Sequence, residues 1–186
     1  MPRLWALALL TVAALVLPAS ALAHIRLQGV FAMKGRVTVA HDVPGEHVGE
    51  SVTRLWAFFA PCRVGQCITE KLVRARAAGE DKVTLRRKRR LFSRWLGIGS
   101  FYAPLRCGSQ IYKRGERVWF RLKVQISSAE TVNGAAVATT LKATYTDYRR
   151  TNRTRCVAVL GHDAAVYTGT LITPAPVQAA PTTAPG

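Results

Sequence analysis

Ten residues from Arg117 to Ile126 alternate without a break. Val118, Phe120, Leu122, Val124 and Ile126 are apolar, and Arg117, Trp119, Arg121, Lys123 and Gln125 stand between them. A period of two is the period of a β-strand, whose successive side chains leave on opposite faces. One face of this strand therefore belongs in a core and the other in water. Such a strand needs neighbours with the same pattern, and that confines the chain to half-buried antiparallel architectures.

The neighbours are legible. Val137 to Thr146 places Val137, Leu141 and Tyr145 on one side and Lys142 and Thr144 on the other, after a turn at Asn133-Gly134. Arg155 to Leu160 and Ala164 to Ile172 read as a closing pair about Gly161-His162-Asp163. Upstream, His24 to Met33, Arg36 to Asp42, Val52 to Ala60, Lys82 to Arg87 and Ser100 to Arg106 are rich in β-branched and aromatic residues and bounded by Gly or Pro. Trp56 falls in a strand that is apolar on both faces near its end, so it reads as core. Thr69 to Gly79 fits either a helix capped by Thr69 or a strand. The strand is preferred, because Gly79-Glu80-Asp81 then turns into Lys82. The expected fold is all-β, a single antiparallel meander of about eight to ten strands forming a small barrel or a sandwich.

The first 23 residues hold a cation at Arg3, an apolar run from Leu4 to Leu17, Pro18, and the triplet Ala21-Leu22-Ala23. This is the pattern of a secretory signal peptide cleaved before His24. Its apolar run is shorter than the roughly 20 residues that span a bilayer, so no transmembrane segment is expected. The last stretch, Pro174 to Gly186, is almost entirely Pro, Ala and Thr and reads as a disordered tail. Residues 24–173 are the expected folded domain, secreted or placed in the cell envelope and monomeric.

In an exported chain, four cysteines are expected as two disulfides rather than a metal site. Three pairings are open, and Cys62–Cys67 with Cys107–Cys156 is the expected one. Loop-closure entropy assigns roughly 2 kcal/mol to the short loop and roughly 4 kcal/mol to the long one. The layout of Trp56, Pro61-Cys62 to Cys67, Tyr102, Cys107, Tyr145, Cys156 and Ala165-Val166-Tyr167-Thr168-Gly169 resembles uncharacterised secreted, disulfide-bonded β domains of high-GC bacteria. The resemblance implies an all-β fold with disulfides and implies no activity.

Charge carries the functional reading. The chain has 27 Lys and Arg against 10 Asp and Glu, a net charge of +17, and the leader accounts for one of those cations. That balance favours an anionic partner: membrane lipid, wall polymer or nucleic acid. The sharpest local feature is Arg86-Arg87-Lys88-Arg89-Arg90 followed by Arg94 and Trp95. Five adjacent cations belong on an exposed strand end and loop, and Phe92, Trp95 and Ile98 give that loop an aromatic and apolar tip suited to shallow insertion or stacking. The opposing expectation is that the three apolar residues pack under the fold as a lid. Trp119, between Arg117 and Arg121, is expected either to stack with guanidinium groups or to pack on a neighbouring strand.

A second candidate is a copper-binding histidine brace of His24, as mature N-terminus, with His162, or less well His41 or His47. No Gly-x-Ser-x-Gly, His-Glu-x-x-His or phosphate-cradling Gly loop is present in the sequence. The acid pairs Glu46 with Glu50 and Glu80 with Asp81 read as surface charge. The expected function is a non-enzymatic binding or interaction module without a cofactor; the alternative is a structural or inhibitory extracellular domain.

Overall fold

A computed structural model describes residues 25–62, 67–76, 79–88, 93–132 and 135–174. The leader, the tail beyond Pro174, Arg89, Arg90, Phe92 and the Asn133-Gly134 turn lie outside the described residues. Eight strands follow one another: β1 (Gly29–His41), β2 (Ser51–Phe59), β3 (Thr69–Arg76), β4 (Gly79–Arg87), β5 (Arg94–Cys107), β6 (Gln110–Val132), β7 (Ala135–Asn152) and β8 (His162–Thr173). Each pairs antiparallel with the next, and β8 returns to β1, so the meander closes as a barrel. Closure leaves no sheet edge to be covered.

The choice between barrel and sandwich is settled by the β1–β8 seam, which runs from Val30 opposite Thr173 to His41 opposite His162. Two strands expected separately, 24–33 and 36–42, are one continuous β1. Gly35 is not a break. An added Cβ there would lie 2.3 Å from the Tyr167 ring, so the glycine lets that ring lie across the seam. The segment at Thr69 is strand, as preferred.

Arg155 to Leu160, expected as a strand, is irregular. β8 takes β1 and β7 as its partners, leaving 155–160 no sheet to join, and Val157 and Val159 stand in water. The segment is pinned by the Cys107–Cys156 disulfide and by Asn152, whose Nδ2 donates to the Cys156 carbonyl at 2.7 Å. The second disulfide is Cys62–Cys67, so both pairings are the expected ones.

Inward side chains fill the lower and middle barrel: Phe31, Met33, Trp56, Phe58, Leu72, Leu85, Trp95, Phe120, Leu122 and Leu141 are all 2% exposed or less. Phe31 meets Phe58 edge-on with centroids 5.4 Å apart, and Phe120 lies 5.4 Å from Tyr145. An eight-stranded barrel has an interior just wide enough for side chains or one small ligand. Arg26 laces the chain start to the start of β7 by two backbone hydrogen bonds, closing the lower end. The β1–β2 loop, 42–50, lies at the other end, beside His41 and His162.

Candidate functional site

The alternation that defines β6 sorts charge between the two sides of the wall. All ten acidic residues are described, and five of them, Glu70, Asp81, Glu116, Asp147 and Asp163, are buried. The outward positions of β5, β6 and β7 carry Arg94, Arg117, Arg121, Lys123, Lys142 and Arg149 instead. Within Arg94–Gln125 and Lys142–Asn152 the only acids are Glu116 and Asp147, and both point inward.

A groove of about 780 Å3 crosses this outer face. Among the described residues its cations are Lys88, Arg94, Arg121, Lys123 and Lys142, with Leu96 and Ile98 between them and no carboxylate in its lining. Register explains the convergence: Arg94 faces Gln125, Leu96 faces Lys123, Ile98 faces Arg121, and Gln125 faces Lys142. Arg94 Nε donates to Gln125 Oε1 at 3.1 Å, which holds its guanidinium along the groove. Above it, Arg117 and Arg149 flank the Trp119 ring at 4.7 and 5.0 Å, and Arg121 lies 5.7 Å from Tyr148. Trp119 is thus the stacked residue of the two alternatives weighed from its position, and the stacks hold long cationic side chains in place on the surface.

The residues of the basic run divide. Arg86, Lys88 and Arg94 are exposed, Arg87 is half-buried, and Arg89 and Arg90 lie outside the described residues. Lys88 N donates to the Arg94 carbonyl at 2.9 Å, which brings this strand end onto the groove. Trp95 does not belong with them. It is opposite Arg87 at an inward position, is 2% exposed, and packs in the core. It lines the floor of the groove from the core side and offers no exposed ring, so the lid-like packing considered for this tip holds for Trp95. Ile98, on the opposite parity, is 57% exposed.

The histidines do not assemble a brace. His41 and His162 face each other at the upper end of the β1–β8 seam, whereas Ile25, the residue next to His24, lies beside Arg26 at the lower end. His24 itself is outside the described residues. His162 Nδ1 instead engages Asp147 Oδ1, and His41 Nδ1 lies 2.9 Å from Asp42 Oδ2. Among the described residues no group of three His, Cys, Asp or Glu is placed to hold a metal.

Inside the upper barrel is a charged network that the sequence reading missed. Asp81, read there as surface charge with Glu80, is 5% exposed and accepts two 2.8 Å hydrogen bonds from Arg74, with Arg76 Nε 2.9 Å away. Glu80 is exposed as expected. The Arg74 guanidinium lies 4.1 Å from the Phe120 centroid and 5.3 Å from that of Tyr145. Arg150 donates from Nε to Asp147, from Nη1 to Glu116 and from Nη2 to Asp163, and Tyr145 Oη donates to Asp163 at 3.3 Å. Burial lifts the Asp163 carboxyl to about 7 against the attraction of Arg150. Burial also raises Glu116 and Glu46, again opposed by Arg150. Burial would lower Arg150, but its hydrogen bond to Asp147 and the charges of Asp163 and Glu116 hold it above its ordinary range. At the lower end Glu70, 1% exposed, is pushed to about 8 by burial.

The signal for this network was parity. Glu116 shares the inward phase of Val118, Phe120 and Leu122; Asp147 follows Tyr145 at a step of two; and Asp163 precedes Ala165 and Tyr167. Charged residues in core phase identify buried pairs before any fold is known.

No protein-family model, curated protein or solved structure matches the chain. Fold and site together define it as a closed eight-stranded antiparallel barrel, acidic within and basic without. No helix among the described residues is long and apolar enough to cross a membrane.

Proposed function

We propose that the protein is an exported, non-enzymatic binding module that docks an extended anionic polymer, of phosphate-bearing wall or nucleic-acid chemistry, along the outer face of β5, β6 and β7. The observation that carries this reading is the carboxylate-free groove lined by Lys88, Arg94, Arg121, Lys123 and Lys142. Five converging cations displace the counterions of a polyanion, and affinity then depends steeply on salt. The leader pattern and the two disulfides support export to an oxidising compartment.

A polymer is favoured over an inserted membrane contact for two reasons. Trp95, the anchor of the aromatic tip, is committed to the core. Trp119 is exposed only in part and is flanked by Arg117 and Arg149, so it offers no free face for wedging into lipid or for stacking a base. Recognition is then of backbone charge, with Leu96 and Ile98 as the apolar floor.

The test is binding of the disulfide-intact, leader-free protein to duplex DNA, purified wall polymer, and anionic and neutral vesicles at two salt concentrations. The comparison protein has Arg94, Arg121, Lys123 and Lys142 changed to Gln. Salt-sensitive binding to a polymer that the variant loses supports the reading. Preference for anionic vesicles transfers the groove to a membrane partner, and absence of binding to every anion returns the protein to a structural or inhibitory role.

A further inference from the structure

The upper end of the barrel encloses a second, smaller space. A cavity of about 240 Å3 lies between the β1–β2 loop and the barrel wall, lined among others by Glu46, Arg54, Trp56, Phe101, Glu116 and Tyr167. It is on the inner side of the sheet, so it shares no wall surface with the outer groove. At roughly 30 Å3 per water it has room for about eight waters, and it falls just below the 300–1,000 Å3 range of drug-sized sites. We propose that this cavity is a binding site for a small organic cation, a protonated amine carried on a single or fused ring.

Glu116 gives the first reason. It is 3% exposed and lines the cavity, its Oε1 accepts from Arg150, and its Oε2 has no hydrogen-bond partner. A buried carboxylate oxygen without a donor has lost its hydration with nothing in return, and a ligand ammonium supplies the missing N–H.

Charge at this end is the second reason. Arg150 is spent on Asp147, Glu116 and Asp163, and Arg74 is spent on Asp81, with Arg76 paired to the same aspartate. The lining holds Glu46, Glu116 and Asp163 with Arg54, Arg74, Arg76 and Arg150, and Asp81 and Asp147 behind it offset three of those guanidiniums, so in a protein of net charge +17 this chamber is close to neutral. Burial raises the Glu46, Glu116 and Asp163 carboxyls, and the arginines around them oppose that shift.

The walls supply the third. Trp56 and Tyr167 stand 5.2 Å apart at 48°, and Tyr167 is seated on Gly35. Ring faces here already attract cations, as Arg76 over Phe101 at 3.8 Å and Arg74 over Phe120 show. A ring on the ligand packs against Trp56 and Tyr167 while its ammonium reaches Glu116 and Glu46.

Calorimetric titration of the disulfide-intact protein with tryptamine, phenethylamine and indole-3-propionate tests this, using the unsubstituted chain, Glu116→Gln and Glu46→Gln. The amines are expected to bind one per barrel. Affinity should fall at least tenfold in Glu116→Gln and severalfold in Glu46→Gln, and should weaken from pH 8 to pH 6 as Asp163, lifted to about 7 by burial, takes up its proton. Glu46 is in the β1–β2 loop and feels the Arg150 charge but takes none of its three hydrogen bonds, so its variant keeps the test decisive if Glu116→Gln does not fold. Indole-3-propionate should bind only where the outer groove is intact. The proposal is overturned if neither amine binds, if amine affinity is unchanged in Glu46→Gln, or if indole-3-propionate binding survives Gln replacement of Arg94, Arg121, Lys123 and Lys142.

Discussion

The two sides of β6 are made by the same ten residues and obey opposite rules. Inward, Glu116 begins a row continued by Val118, Phe120, Leu122 and Val124, all 3% exposed or less. Outward, Arg117, Trp119, Arg121 and Lys123 stand on a face with no acid. A carboxylate placed inside must be met by an arginine there, and each one so placed is lost to the outside as a counter-charge. Each such pair leaves the net charge of the outside unchanged but strips it of an acid, so the outward cations of β5 to β7 stand without carboxylates among them, and the difference between the faces is the source of both proposed sites.

Removing the inner cation should have the largest effect. Arg150→Met leaves Glu116, Asp147 and Asp163 without their common partner, and loss of one partner from a buried ion cluster costs about 3–5 kcal/mol. Chemical denaturation at pH 7 should show that loss, with part of it recovered at pH 5, where protonation relieves the stranded carboxylates. Adjacent residues sharpen the contrast next. Phe120→Ala should cost about 3–5 kcal/mol by opening a cavity, whereas Trp119→Ala, one step along the strand, should cost no more than about 1 kcal/mol, the value of exposed cation–π stacking. Equal losses at 119 and 120 would contradict the assignment of faces.

The pH dependence comes third. Glu70 at about 8 and Asp163 at about 7 hold protons in the folded state that the unfolded chain has released above its ordinary carboxyl range. Between about pH 4 and these folded values the native state binds more protons, so stability falls as pH rises and levels off above pH 8. A melting temperature higher at pH 5 than at pH 8.5 is expected, and Glu70→Gln should flatten the curve by raising stability at the alkaline end. The smallest effect on stability belongs to the outer face: Arg121→Gln and Lys123→Gln should each change it by less than about 0.5 kcal/mol, while each lowers the salt slope of polymer binding by about 1.

How far the sequence could be read follows from which signals are local. Strand period is local, so β2, β3, β6, β7 and most of β8 were legible, as was the coherence of four cysteines with two disulfides. Closure was not, because the β1–β8 seam joins residues more than 120 apart and depends on register. Arg155 to Leu160 has strand-like composition, yet no neighbouring strand was left for it, and only the global pairing reveals that. At the proposed binding face, the charge run drew attention to 86–90, and of its described members Lys88 reaches the groove, joined by Arg94. The other cations of the groove, Arg121, Lys123 and Lys142, are each unremarkable in sequence and become a site only when three strands align them. Trp95 was weighed both as an exposed tip and as a packed lid, and its inward position gives it the packed role at the floor of the groove.

The most direct measurement is the slope of log affinity for duplex DNA against log salt, for the unsubstituted protein, for a groove variant with Arg121, Lys123 and Lys142 changed to Gln, and for a run variant with Arg86, Arg87 and Lys88 changed to Gln. Five groove cations predict a slope of about −4 to −5. The groove variant should bring it to about −2, and the run variant, which takes only Lys88 from the groove, should reduce it by about 1. A slope that the run variant abolishes and the groove variant leaves intact would contradict the account, because binding would then follow the linear charge run and owe nothing to the sorting of charge across the barrel wall.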